Sequence, residues 1–380
     1  MAPVLHVASA LVLAPLLLGV ISRTKAVFAG RHGPSLFQPY HDIAKLLRKG
    51  AVYSRSTTWI FRTGPVVTLA GLGVALLVLP LGAVQALAAF PGDLVLFAYL
   101  LGLGRFVTVL AALDTGSAFE GMGASREVQF SALAEPALLL GLGALAVQAH
   151  SVCLTGLYGH VQVTALPGPL AALLLVAVSL FIVLLAENCR IPIDDPNTHL
   201  ELTMIHEVMV LDHGGVDLAF IQYGAALKMW ILAGLVTGLI LPVHTGHPVG
   251  DLALGVAGQF ILALAVGIVE STMARLRLLQ VPQLLTAALI LSLLSLILML
   301  TQPSLSQGAQ GSSRTSVGHT WNCPIRSFGL DSSNAPIPLR YFSSCESFRY
   351  DRNDSHDMCP TEVLGEPARG PILETLRRYP

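Results

Sequence analysis

Charge is what this sequence has least of. Asp, Glu, Lys and Arg make up 12% of its 380 residues, against 53% that are apolar. That balance excludes a string of ordinary soluble domains and points to a membrane protein. Cysteine is also sparse. Cys153, Cys189, Cys323, Cys345 and Cys359 form no Cys-x-x-Cys pair and have no histidine at metal-site spacing. This argues against an iron–sulfur cluster, a structural zinc or any other metal held by this chain. No basic residue precedes the first apolar run, and small-residue cleavage cues there are weak. That run is therefore expected to be a retained span and not a signal peptide. The Gly-x-Gly at Gly121 and Gly123 follows no strand, so a phosphate-binding loop is rejected, and no nucleic-acid partner is expected.

What is present is apolar length. Windows of about 20 apolar residues, enough to cross a hydrocarbon core of ~30 Å, recur at roughly 5–22, 64–84, 93–112, 131–149, 168–186, 217–242, 252–270 and 281–300. The fold class is all-α: a polytopic membrane protein with about eight transmembrane helices and a disordered C-terminal tail. The sixth window is long enough to tilt or bend, and Gly224, Gly234 and Gly238 allow close helix packing there. The basic residues check the count. Arg23, Lys25, Arg31, Lys45, Arg48, Lys49, Arg55 and Arg62 lie between windows one and two. Arg126 precedes window four, Arg190 window six, and Arg275 and Arg277 window eight. The intervening connections contain neither Lys nor Arg, and only Arg105 and Lys228 fall inside windows. Basic loops in the cytoplasm then put both ends outside a cell's inner membrane, and the lipid bilayer is the first expected partner.

The first basic connection contains Gln38–Lys49, in which Tyr40, Ile43, Ala44 and Leu47 share one helical face and Lys45, Arg48 and Lys49 cluster on another. A short helix lying at the membrane surface fits this pattern; so does a docking site for a soluble partner, through Gln38, Asp42 and Lys45. The second connection, Asp114–Glu127, reads as a glycine-containing loop with Arg126 and Glu127 also placed for docking.

Arg105 and Lys228 lie deep in their windows. A basic side chain there costs roughly 2.5–3.5 kcal/mol on insertion scales, so each is expected to face protein or water and to have a carboxylate partner. Snorkelling to the interface is the plainer alternative, mainly for Arg105. Glu135, one turn into window four beside Pro136, and Glu270, closing window seven, read equally as interfacial residues or proton carriers.

The densest charge lies between windows five and six: Glu187, Arg190, Asp194, Asp195, Glu201, His206 and Glu207. Asp195-Pro196 reads as an N-cap and first helical proline. The helix that follows would carry Leu200, Met204, Val208 and Leu211 as an apolar stripe, with Glu201 and His206 projecting off it and Glu207 at its margin. Crowded carboxylates raise one another's pKa and histidines titrate near neutrality, which suits a proton-relaying cavity. A solvated acidic loop is the plainer alternative.

It is here that a family becomes visible. Ala186-Glu187-x-x-Arg190-x-Pro192-x-Asp194-x-Pro196, then Glu201-Leu202 and His206-Glu207, resembles subunit 1, or H, of respiratory complex I. The fuller wording ENCRIPIDDPNTHLELTMIHEVMVLDH is more similar to the hydrogenase relatives, hydrogenase-4 component C and formate hydrogenlyase subunit 4. GRHGPSLFQPYHDIAKLLRKG at 30–50 and DTGSAFEGMGASRE at 114–127 are similar to the same group. The resemblance covers residues 1 to about 300. It implies a subunit without a redox cofactor of its own, between a cytoplasmic arm carrying NiFe and iron–sulfur centres and antiporter-like membrane subunits. It also implies that Glu187, Arg190, Asp194, Asp195, Glu201 and Glu207 shape a chamber under the last cluster. Quinone, bound by complex I, stays an open alternative for the hydrogenase-type wording.

Three functions are compatible with this reading: a proton-coupling oxidoreductase subunit, a passive membrane anchor, or a stand-alone ion-coupled transporter. The last calls for a pseudo-symmetric pair of broken helices, which the sequence does not show. Residues 1–302 form the membrane domain in all three. The hydrophilic stretch 303–380, rich in Ser, Gly, Pro and Arg, reads as a disordered tail or as the product of a shifted frame. A native intact mass matching 380 residues is the outcome that disposes of the shifted frame.

Overall fold

The computed structural model describes residues 2–160, 167–194, 205–241 and 245–301. They belong to the first of two units of the chain, Met1–Arg326; the second is Ser327–Pro380. The expected tail after residue 302 lies outside the described residues, as do Asp195 and Glu201. Among the described residues, helices carry the fold: α1 (Ala2–Phe28), α2 (Gln38–Leu47), α3 (Trp59–Val78), α4 (Asp93–Asp114), α5 (Ala118–Ala149), α6 (Leu154–His160), α7 (Pro167–Glu187), α8 (His206–Met209), α9 (Gly215–Ile240), α10 (Pro248–Thr272) and α11 (Val281–Thr301). Eight of them, α1, α3, α4, α5, α7, α9, α10 and α11, are long and apolar enough to cross a membrane.

The centre of the bundle is α9. In its most apolar stretch 78% of residues are buried, against 28–50% in the other seven. A helix with so little exposed surface must be surrounded by others; α3, α1, α2, α10 and α7 pack around it. Lipid tails are as apolar as leucine, so these helices associate through close packing and interhelical hydrogen bonds and not through water exclusion. The three glycines supply the closeness. A Cβ at Gly224 would sit 3.5 Å from Leu72, at Gly234 3.1 Å from Leu79, and at Gly238 2.8 Å from the Tyr158 ring. Buried serines supply hydrogen bonds between α7 and α11: Ser179 donates to the Ala288 carbonyl at 2.8 Å, and Ser295 to the Ala172 carbonyl at 2.9 Å.

Pro15 inside α1 has no N–H for the Leu11 carbonyl four residues earlier. In an apolar medium that carbonyl needs another donor. Tyr223 of α9 donates its hydroxyl to it at 2.8 Å, and the Tyr40 hydroxyl of α2 donates to the neighbouring Val12 carbonyl. Helix α2 thus packs against its own chain's α1 and α9 with Tyr40 and Ile43 half-buried, while Ala44 and Leu47 stay exposed along with Lys45, Arg48 and Lys49.

Three boundaries differ from expectation. The second span stops at Val78 and not near 84, because Pro80 cannot donate to the helix and holds Leu79 extended; a tight turn bridging Leu81 and Val84 follows. The fourth begins at Ala118 and not at 131, so the expected second loop is mostly helix. Gly116 (φ 70) ends the preceding helix, and α5 starts after the extended Ser117. At 32 residues α5 is about 48 Å long, well over the ~30 Å hydrocarbon core. Its polar first turns extend past the membrane, where hydropathy gives no signal. Gly121 and Gly123 therefore make no turn: a Cβ on Gly123 would meet the Ile205 carbonyl at 3.0 Å and Met209 at 3.1 Å, beside α8. In the third, the expected helix after Pro196 is described only at its end, where helix covers His206–Met209 and Leu211 is exposed.

Gly215, at φ 57, opens α9 where an added Cβ would lie 2.6 Å from the Gly50 carbonyl oxygen. Gly215→Ala is expected to destabilise the protein by about 1–3 kcal/mol. Neighbouring Gly214→Ala, at φ −140 with nothing within 4 Å, should stay within ~0.5 kcal/mol. Thermal unfolding of both variants in detergent measures the difference.

Candidate functional site

Arg105 lies near the middle of α4, and its side chain is 8% exposed. Its guanidinium meets three carboxylates from two other helices. One terminal nitrogen pairs with Glu135 and the other with Glu187, and Nε is 3.3 Å from Glu127 Oε1. Lys228 of α9 reaches the second oxygen of Glu187 at 2.9 Å. Glu187, 3% exposed at its side chain, is held between two cations, so no single substitution of a cation leaves it without a counter-charge. Glu135, by contrast, is 46% exposed at its side chain and stands eighteenth of the 32 residues of α5, at membrane depth.

Two smaller ion-pair groups stand beside this one. Glu270, at the end of α10, takes Lys25 of α1 at 3.0 Å and Arg190 at 3.5 Å. Asp194 is 3.4 Å from an Arg275 guanidinium nitrogen and accepts backbone N–H bonds from Ile205 (3.1 Å) and His206 (3.4 Å). Asp194 thereby ties the end of the α7 connection to the start of α8. The short connection itself turns through Cys189 in a left-handed conformation, φ 50.

Between α3, α4, α9 and this connection lies a cavity enclosing about 980 Å³ with its mouth included. Its upper wall is apolar, with Leu72, Leu101 and Ile221, and its charged wall holds Arg105, Glu127, Glu187, Arg190 and Lys228. A second cavity of about 330 Å³ shares Arg105, Glu127, Glu187 and Cys189 with it and adds Asp194 and Ile205. His206 and His213 line the larger one. His213 stacks on Phe61 with ring centroids 3.9 Å apart. Burial pushes both imidazoles below their ordinary range, opposed at His206 chiefly by the Glu127 charge and at His213 by Asp217. Burial, then Glu127 and Asp194, push the Cys189 thiol well up.

The structure separates the residues singled out from sequence. Glu187, Arg190, Asp194 and His206 come together with Arg105, Lys228, Glu135 and Glu270 in and around the cavity. Glu207 sits half-buried on α8. Glu187 and Asp194 meet cations and N–H groups, so pairing and not mutual crowding governs them; and His206 is held toward its neutral form. Snorkelling does not describe Arg105, which the three carboxylates hold inside. Glu127 corrects the docking expectation: as part of α5 it turns inward to Arg105. Gln38 and Asp42 bond each other at 2.9 Å along α2, Lys45 is exposed, and Arg126 reaches Met122 Sδ at 3.1 Å. Sequence reading missed Lys25 and Arg275 as partners of Glu270 and Asp194, since both were absorbed into the loop-charge count. It also missed Glu120, buried and accepting the Asp212 N–H at 3.1 Å, which ties α5 to the connection before α9.

Eight membrane-length helices among the described residues, five of which contribute to a cavity lined by paired charges, define a polytopic membrane protein with an internal ionisable chamber. Residues 1–300 match the family described as NADH dehydrogenase, and the chain belongs to that family. It is 32% identical over 277 residues to hydrogenase-4 component C of Escherichia coli (strain K12), covering 71% of this chain and 86% of that protein. It is 31% identical over 277 residues to formate hydrogenlyase subunit 4 of the same organism, covering 70% and 87%. The H subunit of the NADH-quinone oxidoreductase of Anaplasma phagocytophilum (strain HZ) is 29% identical over 233 residues, covering 56% and 66%. In fold, the chain is similar to a chain of the membrane-bound sulfane sulfur reductase, an archaeal respiratory membrane complex. There the TM-score is 0.68 at 21% identity, over 78% of this chain and 98% of that one.

Removing the Arg105 charge leaves Glu127 and Glu135 without their ion-pair partner. Arg105→Gln is expected to cost about 3–5 kcal/mol of stability. Arg105→Lys keeps the charge but not the fork that reaches several carboxylates and should fall between. Adding Glu127→Gln to Arg105→Gln should recover part of the loss, read as non-additive shifts in thermal unfolding of the detergent-solubilised variants.

Proposed function

We propose that this chain is the membrane subunit of a multi-subunit oxidoreductase related to hydrogenase-4, formate hydrogenlyase and complex I. In this reading it anchors a cytoplasmic redox arm and couples electron transfer there to proton translocation. The observation that carries the proposal is the unbroken chain of charges from the cavity to the outer face of α5: Lys228, Glu187, Arg105, Glu135. Glu135 is half-exposed at membrane depth, where lipid cannot solvate a carboxylate. A polar partner covering α5 there, such as an antiporter-like subunit, would continue the chain sideways. Asp195 and Glu201, in the same acidic block of sequence, lie outside the described residues. Orientation follows the basic loops: Lys45, Arg126, Arg190 and Arg275 lie on the cytoplasmic side of the inner membrane, with both termini outside. Gln38, Asp42, Lys45 and Arg126 then face the hydrogenase large and iron–sulfur subunits, which hold the NiFe and iron–sulfur centres. Residues 1–302 are the membrane domain, and 303–380 a hydrophilic tail outside it.

How the residues work follows from their pairing. Glu187 shares its charge between Arg105 and Lys228, so a change of charge at the cavity wall that draws on either cation alters the hold on Glu187. The Arg105 fork passes that change to Glu135. Each shift is between alternative ion pairs, which keeps any single charge from standing alone in a poorly solvating medium.

Lys228→Gln tests this reading, because Glu187 keeps Arg105 and the fold should survive. The expected result in membrane vesicles is an assembled complex whose electron transfer no longer acidifies or alkalises the lumen. An assembled Lys228→Gln complex that pumps at the normal rate would overturn the coupling role. Loss of the peripheral arm with no separate effect on pumping would instead support a passive anchor.

A further inference from the structure

Three side chains with metal-binding chemistry converge on the cavity wall. Glu127 of α5, Cys189 in the turn after α7 and His206 at the start of α8 each bring one donor atom within 4.8 Å of the other two. All three line the larger cavity. Cys189 is a free thiol on a left-handed backbone position, one that few residues other than glycine adopt and that recurs at functional sites. His206 Nδ1 is buried with no hydrogen-bond partner among the described residues. Such an atom costs stability unless something binds it.

We propose that Glu127, Cys189 and His206 form a binding site for one divalent transition-metal ion of the zinc class, with its fourth coordination position facing the cavity. The donor set selects the ion. A thiolate and an imidazole suit zinc and its neighbours, whereas magnesium and calcium take oxygen ligands. Three protein ligands and one open position make an open, catalytic-type zinc geometry and not a closed structural one. Zn–S of about 2.3 Å and Zn–N of about 2.0–2.1 Å set tetrahedral ligand separations of roughly 3.3–3.8 Å. The donor atoms, within 4.8 Å of one another, therefore have at most about 1–1.5 Å to close, by side-chain rotation at the three positions. On binding, the Cys189 S–H bond is exchanged for an S–metal bond and its proton leaves to the cavity. The thiolate offsets one of the ion's two charges; the Glu127 carboxylate already faces Arg105, so binding adds one net positive charge to the cavity wall. Glu127 is shared between the ion and Arg105 Nε, so occupancy bears directly on the ion-pair network. The site stands independently of the coupling role proposed above, and its test measures binding alone.

The full-length chain in lipid nanodiscs, stripped with a chelator, is titrated with Co²⁺ alone. The expected result is one bound ion with thiolate-to-cobalt charge-transfer absorption, displaced by Zn²⁺. Cys189→Ser should abolish that absorption. His206→Gln and Glu127→Gln should each weaken Co²⁺ binding on the order of tenfold or more. A triple variant with Cys323, Cys345 and Cys359 changed to serine should keep it. Absorption that persists in Cys189→Ser, or a folded wild-type chain that binds no Co²⁺, overturns the site. Should Cys189→Ser fail to fold, alkylation of the wild-type chain decides: Zn²⁺ protects Cys189 if the site exists, and unaltered labelling refutes it.

Discussion

A guanidinium enclosed by apolar helices has to be neutralised by groups on other helices, because the surrounding hydrocarbon offers it neither water nor counter-ions. Arg105 meets that requirement with three carboxylates, Glu127 and Glu135 of α5 and Glu187 of α7, and Lys228 of α9 adds a second hold on Glu187. Four spans are thereby bound to one set of charges. Their relative depth and rotation must let these groups meet, which constrains how the helices pack around the cavity more strongly than non-directional apolar contact does.

The packing in turn decides what the cavity is. Glycines where helices touch let α9 sit among its neighbours, and Tyr223 and Tyr40 supply the hydroxyls that carbonyls near Pro15 need. The space left between α3, α4 and α9 is apolar on one wall and charged on another. Gly123 lets α8 approach α5, and that approach brings His206 to Glu127 and Cys189. As proposed, such a chamber moves charge by exchanging ion-pair partners and takes a metal ion at its edge.

Much of the site was legible in sequence, and the misses have physical causes. Arg105 and Lys228 stood out because an isolated charge in an apolar window is costly. Glu187, Arg190 and Asp194 stood out because they lie in a dense motif. Glu127 was misread as a loop residue because the first turns of α5 are polar, extend beyond the hydrocarbon and contain two glycines. Lys25 and Arg275 were read only as loop charge, since nothing local distinguishes a lysine that pairs with Glu270 from one that meets water. The Glu127–Cys189–His206 cluster has no spacing signature, because its members come from three elements up to 79 positions apart.

The sequence by itself determined the number of membrane-length helices, through apolar length, and it places Lys and Arg in every second connection. It also determined that unusual charge belongs near the end of the fifth span. Those properties are local and additive, so they survive in a one-dimensional reading. Only the tertiary structure decided which carboxylate faces which cation, that α5 runs on past its apolar window, and that a thiol, an imidazole and a carboxylate share one wall. Each of these depends on the depth and rotation of whole helices against one another. Packing across the bundle sets both, and no single stretch of residues records them.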